Sequence, residues 1–163
     1  MLFALQYDEI LTNALREDLG RAGDLTSNLT VPANARCQAN LVARQAGTVA
    51  GVEVAARVFQ LLDPSIQVER KVEDGAKVEA GTVLVHVSGS ARTILAGERT
   101  ALNFLGRMSG ISQATATGVA QLNGTRSKLV ATRKTTPGLR MLEQWAVISG
   151  GGESHRFGLD DGI

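Results

Sequence analysis

Lys128-Leu129-Val130-Ala131-Thr132-Arg133-Lys134-Thr135-Thr136-Pro137-Gly138, followed by Leu139-Arg140-Met141-Leu142-Glu143-Gln144-Trp145-Ala146-Val147-Ile148, decides how the chain folds. The apolar run predicts a strand over 128–131, the polar run a loop over 132–137, and the periodic segment a helix over 138–148. Gly150-Gly151-Gly152 then stops that helix. Strand, loop and helix in this order make the first unit of a parallel α/β structure. Only 38 residues run from Arg126 to Ile163, whereas a complete α/β barrel takes ~250. Residues 124–163 are therefore expected to be the first βα unit of an incomplete barrel. Such a unit should leave apolar faces of Leu129, Val130, Leu142 and Ala146 uncovered.

Upstream the order is mixed. Ile10, Leu11, Ala14, Leu15 and Leu19 recur at helical spacing over 8–19, and Gly20 is placed to end that helix. Gly23-Asp24-Leu25-Thr26-Ser27 reads as loop. Ala35, Cys37, Ala39, Leu41 and Ala43 alternate with Arg36, Gln38 and Asn40, which predicts a half-buried strand over 35–43. A short strand lies between Gly47 and Gly51, and a helix covers 53–62. Two β-like segments, 66–72 and 83–87, are separated by the Asp74-Gly75 turn signal and by Gly81. A long helix covers 91–108, and 110–122 continues it after a break. Helix, strands, helix, strands and long helix predict an α+β layer domain over 1–123. The expected fold class is thus α/β (α+β), an open α/β sandwich followed by the beginning of a barrel.

Charge and composition narrow the function. The 17 Lys+Arg and 16 Asp+Glu give a net charge of +1, far from the excess of a nucleic-acid coat. Six aromatic residues are too few for base-stacking platforms. No run reaches the ~18 apolar residues of a membrane span. The opening segment lacks a basic n-region, so no secretory signal is expected. Cys37 is the only cysteine, which removes any disulfide framework and fits a reducing cytosol. Yet between Arg126 and Arg156 six basic residues face two acidic ones, a net of +4, and the rest of the chain carries −3.

Two clusters lie in that basic segment. Arg133-Lys134, with flanking threonines at a strand's end, suits a phosphate or carboxylate, the arginine as a fork and the lysine as a point charge. A solvated surface loop explains the same residues equally well. Gly150-Gly151-Gly152 could bring backbone amides close to an anion beside His155-Arg156, although glycine after a helix needs no ligand. Glu98 and Arg99 point about 100° apart on the long helix and read as an exposed charged stripe. His86 reads as packed or solvated. Cys37 alternates with inward residues and reads as core. No paired-His spacing or carboxylate cluster predicts a metal site within this chain.

Several strings together resemble the quinolinate phosphoribosyltransferase (nicotinate-nucleotide pyrophosphorylase, carboxylating) family. They are Glu17-Asp18-Leu19-Gly20 with Gly23-Asp24-Leu25-Thr26, Glu98-Arg99-Thr100-Ala101-Leu102-Asn103, Met108-Ser109-Gly110-Ile111, Thr132-Arg133-Lys134-Thr135-Thr136-Pro137-Gly138-Leu139-Arg140, and Gly150-Gly151-Gly152 with His155-Arg156. The resemblance implies an enzyme, a glycosyltransferase that joins quinolinate to 5-phosphoribosyl-1-pyrophosphate. Its products are nicotinate mononucleotide, pyrophosphate and carbon dioxide in NAD biosynthesis. It implies that Arg133, Lys134, His155 and Arg156 hold the carboxylates and phosphates, with Lys134 the catalytic residue. Arg99 would reach into a neighbouring subunit's site, so a homodimer or higher homo-oligomer with shared sites is expected, in the cytoplasm. Mg2+ accompanies the phosphoribosyl donor, and the resemblance puts its ligands beyond Ile163, so this chain alone is expected to be incomplete for catalysis. Gln144 stands where the family often has lysine. A molybdenum-system paralogue of the same fold is an alternative. So is a carrier module, since Val72-Glu73-Asp74-Gly75-Ala76-Lys77-Val78-Glu79-Ala80-Gly81 is similar to a lipoyl hairpin; there Asp74-Gly75 takes the tip and Lys77 falls past it.

Overall fold

The computed structural model describes residues 4–161, and Gly162 and Ile163, where the expected barrel segment ends, lie outside the described residues. The elements run α1 (Ala4–Leu19), α2 (Leu25–Thr30), β1 (Arg36–Val42), β2 (Gly47–Thr48), α3 (Val52–Leu62), β3 (Gln67–Arg70), β4 (Lys77–Val78), β5 (Val83–Ser90), α4 (Ala91–Gln121) and α5 (Arg140–Ser149). Strands β1, β5 and β3 form an antiparallel sheet in that order, and β2 pairs with β4. Ala39 faces Val87 and Leu41 faces Val85 across the β1–β5 ladder. The period-2 alternation puts Cys37, Ala39 and Leu41 inward and Arg36, Gln38 and Asn40 outward, as expected. On the outward face His86 Nδ1 lies 2.7 Å from Asn40 Oδ1, so this histidine is bonded across the sheet.

Helices α3 and α4 cover the other face, and α1 packs on both of them. Tyr7, Leu11 and Leu15 recur every four residues on α1 and are buried, as are Val54, Val58 and Phe59 on α3. These side chains meet Val85 and Val87 of β5 and Leu105 and Met108 of α4 in one apolar core. Burial on one stripe of each helix and one face of the sheet is what an α/β sandwich requires.

Four local expectations need correction. The loop at 23–27 contains the start of α2, because Asp24 caps it by accepting from Ser27 N at 2.9 Å. Asp74-Gly75 does turn the chain, with Ala76 N donating to Glu73 O. The turn leads into β4, however, and β3 meets β5 only after that excursion. Lys77 therefore sits within a paired strand opposite Thr48, which does not present it as a carrier lysine. The long helix has no break at 109: α4 is continuous over 31 residues. The two glycines flanking that point, Gly106 and Gly110, cost roughly 1 kcal/mol each relative to alanine. Burial of Leu105, Met108 and Ser112 on the packed face outweighs that cost.

The last correction concerns 124–161. No strand forms over 128–131; Val130 makes one parallel bridge with Glu153. A β ladder needs paired neighbours along its length, and here only the segment at Glu153 pairs, over one bridge. Val130 is 47% exposed, as expected, but Leu142 and Ala146 are buried at 2% and 0%. Helix α5 lays these two residues into the common core instead of leaving them for a barrel.

Candidate active site

The parallel bridge fixes the site. Ala131 N donates to Glu153 O and Glu153 N donates to Leu129 O, both at 2.9 Å. Because the two segments run the same way, the residues following each emerge at one end. Arg133-Lys134 and His155-Arg156 thereby come to the same edge, the carboxyl end of the paired segments. Lys134 and His155 are exposed, while Arg133 and Arg156 are half-buried. The Arg133 Nε is buried without a hydrogen-bond partner, an orphaned donor of the kind an anion satisfies. Arg99 stands on the solvent side of α4 beside exposed Glu98, and no described residue bonds it to the strand-end cations.

Side chains hold the loop that carries Arg133 and Lys134. Lys134 N donates to Thr132 Oγ1 at 3.1 Å. Thr135 Oγ1 accepts from Arg140 Nε at 3.2 Å, and Arg140 Nη1 donates to Phe157 O at 2.9 Å. The Arg140 guanidinium also lies over the Phe157 ring, 5.9 Å from its centroid. Arg140 thus joins the two cationic segments. On the other side Arg107 of α4 donates to Thr136 Oγ1 and to Glu143 Oε1 of α5. Burial pushes the Glu143 carboxyl up, and bonds from Arg107 and Thr136 outweigh it, leaving the group below its ordinary range. Sequence reading missed Arg107 and Glu143, which carry no motif and lie 36 residues apart.

Gly150-Gly151-Gly152 has a different role from an anion cradle. Gly150 N donates to Ala146 O and Val147 O, Gly151 N to Ile148 O, and Gly152 N to Val147 O, so all three amides terminate α5. A Cβ on Gly150 would stand 2.3 Å from Ser112 O of α4. The glycine is there because α4 and α5 nearly touch. Gln144 is buried with Nε2 unbonded.

A cavity of about 310 Å³ lies between α1, α4 and the start of α5, lined among others by Glu17, Asp18, Thr100, Asn103, Arg107 and Leu139. It shares Arg107 with the loop network, but Arg133, Lys134, His155 and Arg156 do not line it. The buried, unpartnered Arg133 Nε lies outside that cavity, at the edge where the paired segments end. Among the described residues no three His, Cys, Asp or Glu side chains gather as a metal-ligand set. The magnesium implied by the family resemblance finds no fitting ligand set in these residues. Among the described residues no helix is long and apolar enough to cross a membrane.

Comparison with known proteins accounts for both halves of the chain. The family model described as quinolinate phosphoribosyl transferase, N-terminal domain, matches residues 24–109, and that of the C-terminal domain matches 111–163. The chain is 43% identical over 153 residues to a quinolinate phosphoribosyltransferase [decarboxylating] of Nicotiana glauca, covering 94% of this chain and 43% of the relative. It is 43% identical over 159 residues to a probable nicotinate-nucleotide pyrophosphorylase [carboxylating] of Bacillus subtilis, covering 98% and 54%. The crystal structure of NadC from Streptococcus pyogenes superposes with a TM-score of 0.95 at 40% identity, covering all of this chain and 57% of that one. The chain thus spans about half the length of these relatives. With both domain models matched in order along one chain, it belongs to the quinolinate phosphoribosyltransferase family.

Proposed function

We propose that the protein serves phosphoribosyl transfer from 5-phosphoribosyl-1-pyrophosphate to quinolinate, with loss of carbon dioxide, in NAD biosynthesis. The observation that carries this reading is the parallel pairing of Val130 with Glu153, which brings Arg133, Lys134, His155 and Arg156 to one edge. Quinolinate is a dianion and the donor carries phosphates, so both need fixed cations. Arginine forks fit carboxylates, and a lysine ammonium fits the phosphate oxygens where charge grows. In the reaction the ring nitrogen bonds to the anomeric carbon as pyrophosphate leaves. The bond to the 2-carboxylate then breaks, carbon dioxide departs, and the pyridinium nitrogen draws in the electron pair until the ring carbon is protonated. In this reading Arg133, His155 and Arg156 orient the dicarboxylate, and Lys134 faces the phosphoribosyl donor. Arg99, exposed on α4, is the arginine lent to a second copy, which makes the working unit a homo-oligomer with shared sites. Mg2+ would accompany the phosphoribosyl donor in this reading and would help to neutralise the leaving pyrophosphate. The single cysteine supports a cytoplasmic setting.

The test is calorimetric titration of this chain with quinolinate and with nicotinate, which lacks the 2-carboxylate, at low salt. Quinolinate should bind in the millimolar range and roughly tenfold tighter than nicotinate, the equivalent of one lost charged hydrogen bond. Added salt and Arg133→Ala should each weaken it. Equal binding of the two acids would remove the basis of the reading.

A further inference from the structure

Between residues 132 and 138 the backbone has almost no backbone partners. Among the described residues, the one backbone-to-backbone bond made there is Leu139 N to Thr136 O at 3.0 Å. A loop so held adopts a single shape only if side chains supply the missing contacts. They converge on Thr136, two residues past Lys134. Thr136 N donates to Glu143 Oε2 at 3.3 Å, and Thr136 Oγ1 accepts from Arg107. The same guanidinium grips the other carboxylate oxygen, with Arg107 Nε 3.1 Å from Glu143 Oε1. The Glu143 side chain is only 12% exposed, so this carboxylate is shielded from water on the side that meets the loop. Acidic residues in a first helical turn also favour the helix dipole. Here both oxygens are committed to groups outside α5, which the dipole does not require.

We propose that Glu143, locked by Arg107, is a positioning residue for the cationic loop. It sets the backbone at Thr136 and so the place from which Arg133 and Lys134 meet an anionic ligand, without touching that ligand. The inference rests on the functional reading above, because it assigns the loop's shape to anion binding. It runs against simple electrostatics. A carboxylate near a cation cluster repels a dianion, so Glu143→Gln should tighten binding if charge alone mattered. A positioning carboxylate predicts the reverse, because the amide retains one acceptor oxygen where two are needed.

The experiment uses the 163-residue chain with Glu143→Gln, Glu143→Ala and Arg107→Lys. The Arg107 side chain is 46% exposed against 12% for Glu143, so its variant keeps the test open should a Glu143 variant fold poorly. Amide hydrogen exchange by nuclear magnetic resonance reads the loop, and quinolinate titration at low salt reads the site. Pyrophosphate serves as a second anion. Thr136 N should exchange roughly tenfold faster in Glu143→Ala, as expected for loss of a charge-assisted bond, with β5 and α3 unchanged. Quinolinate should bind severalfold more weakly in all three variants, Glu143→Gln included. Unchanged exchange at Thr136 overturns the proposal whatever the ligand does. Faster exchange with unchanged binding, or tighter binding in Glu143→Gln, overturns it as well. A parent chain that binds neither quinolinate nor pyrophosphate sinks the functional reading instead, and this inference with it. A parent that binds while its variants bind equally well sinks the inference alone.

Discussion

The sandwich and the segment that follows α4 are held by different forces. In the sandwich, Tyr7, Leu11, Val54, Val58, Phe59, Val85 and Val87 are closed from water and meet in one apolar cluster. In the segment after α4, Leu142 and Ala146 join that cluster through α5, and Leu139, Met141 and Trp145 pack against it, while the loops on either side of α5 are fastened largely by directional bonds. Asp74 illustrates the junction. Its Oδ1 accepts from Val52 N at the start of α3, and its Oδ2 accepts from Trp145 Nε1 of α5 at 2.7 Å. Arg107, Arg140 and Lys128 supply further polar ties, to Glu143, Phe157 and Glu153. Apolar burial is non-directional and sums over many contacts, so it tolerates small shifts. Polar ties fix angles and positions, which a ligand-binding edge requires, and they answer to pH and salt.

The largest expected effect lies in the sandwich. Phe59→Ala should cost about 3–5 kcal/mol and weaken both regions together, because α5 docks on the same core. Chemical denaturation followed by circular dichroism reads this. A loss below about 1 kcal/mol would mean that the core is not the common support. Next comes the contact between the regions. Gly150→Ala drives a Cβ into Ser112 O, which is backbone and cannot move aside. It should cost about 1–3 kcal/mol or more. Hydrogen exchange should then quicken in α5 while β5 stays protected.

Asp74→Ala removes the cap on α3 and the bond to Trp145, a loss of about 1–2 kcal/mol. Trp145 is the only tryptophan, so its fluorescence should move to longer wavelength as the ring is released. An unmoved spectrum would place the junction elsewhere. Acid sharpens the contrast further. The folded Glu143 carboxyl sits below its ordinary value of 4.5, so its contribution is complete above that value. It is lost as pH falls through the lowered folded value. Loop amides around Thr136 should therefore lose protection in acid before those of α3 do, and simultaneous loss would deny the loop its separate support. The smallest effect belongs to Lys128→Ala. Its pair with Glu153 spans 2.7 Å between exposed side chains, and such pairs contribute about 0–1 kcal/mol.

Periodicity made α1, α3 and β1 legible because each buries one face against the same core. It missed α2, whose six residues are too few for a periodic signal and whose Leu25 and Leu29, four apart, both stay exposed, although Asp24 ahead of Ser27 was a cap signal in plain view. It broke α4 at Ser109-Gly110, where local propensity falls and only packing along Leu105, Met108 and Ser112 preserves the helix. The strand expected at 128–131 failed in the opposite sense: apolar residues alone do not make a ladder.

The chemistry divides along the same line. Arg133, Lys134, His155 and Arg156 could be picked out from the chain because cations and glycines crowd into one segment and form strings that few folds carry. Bringing the two pairs to one edge took the parallel bridge at Val130 and Glu153, a contact across 23 positions of sequence. The glycine run could be read as an anion cradle or as a plain helix stop, and the fold decides for the stop, with its amides bonded to α5 and Gly150 pressed against α4. Arg107 and Glu143 had no local signature at all. Side-chain type and spacing record what a segment can do by itself. Which donor meets which acceptor depends on where α4 and α5 cross, and that is set by the shared core.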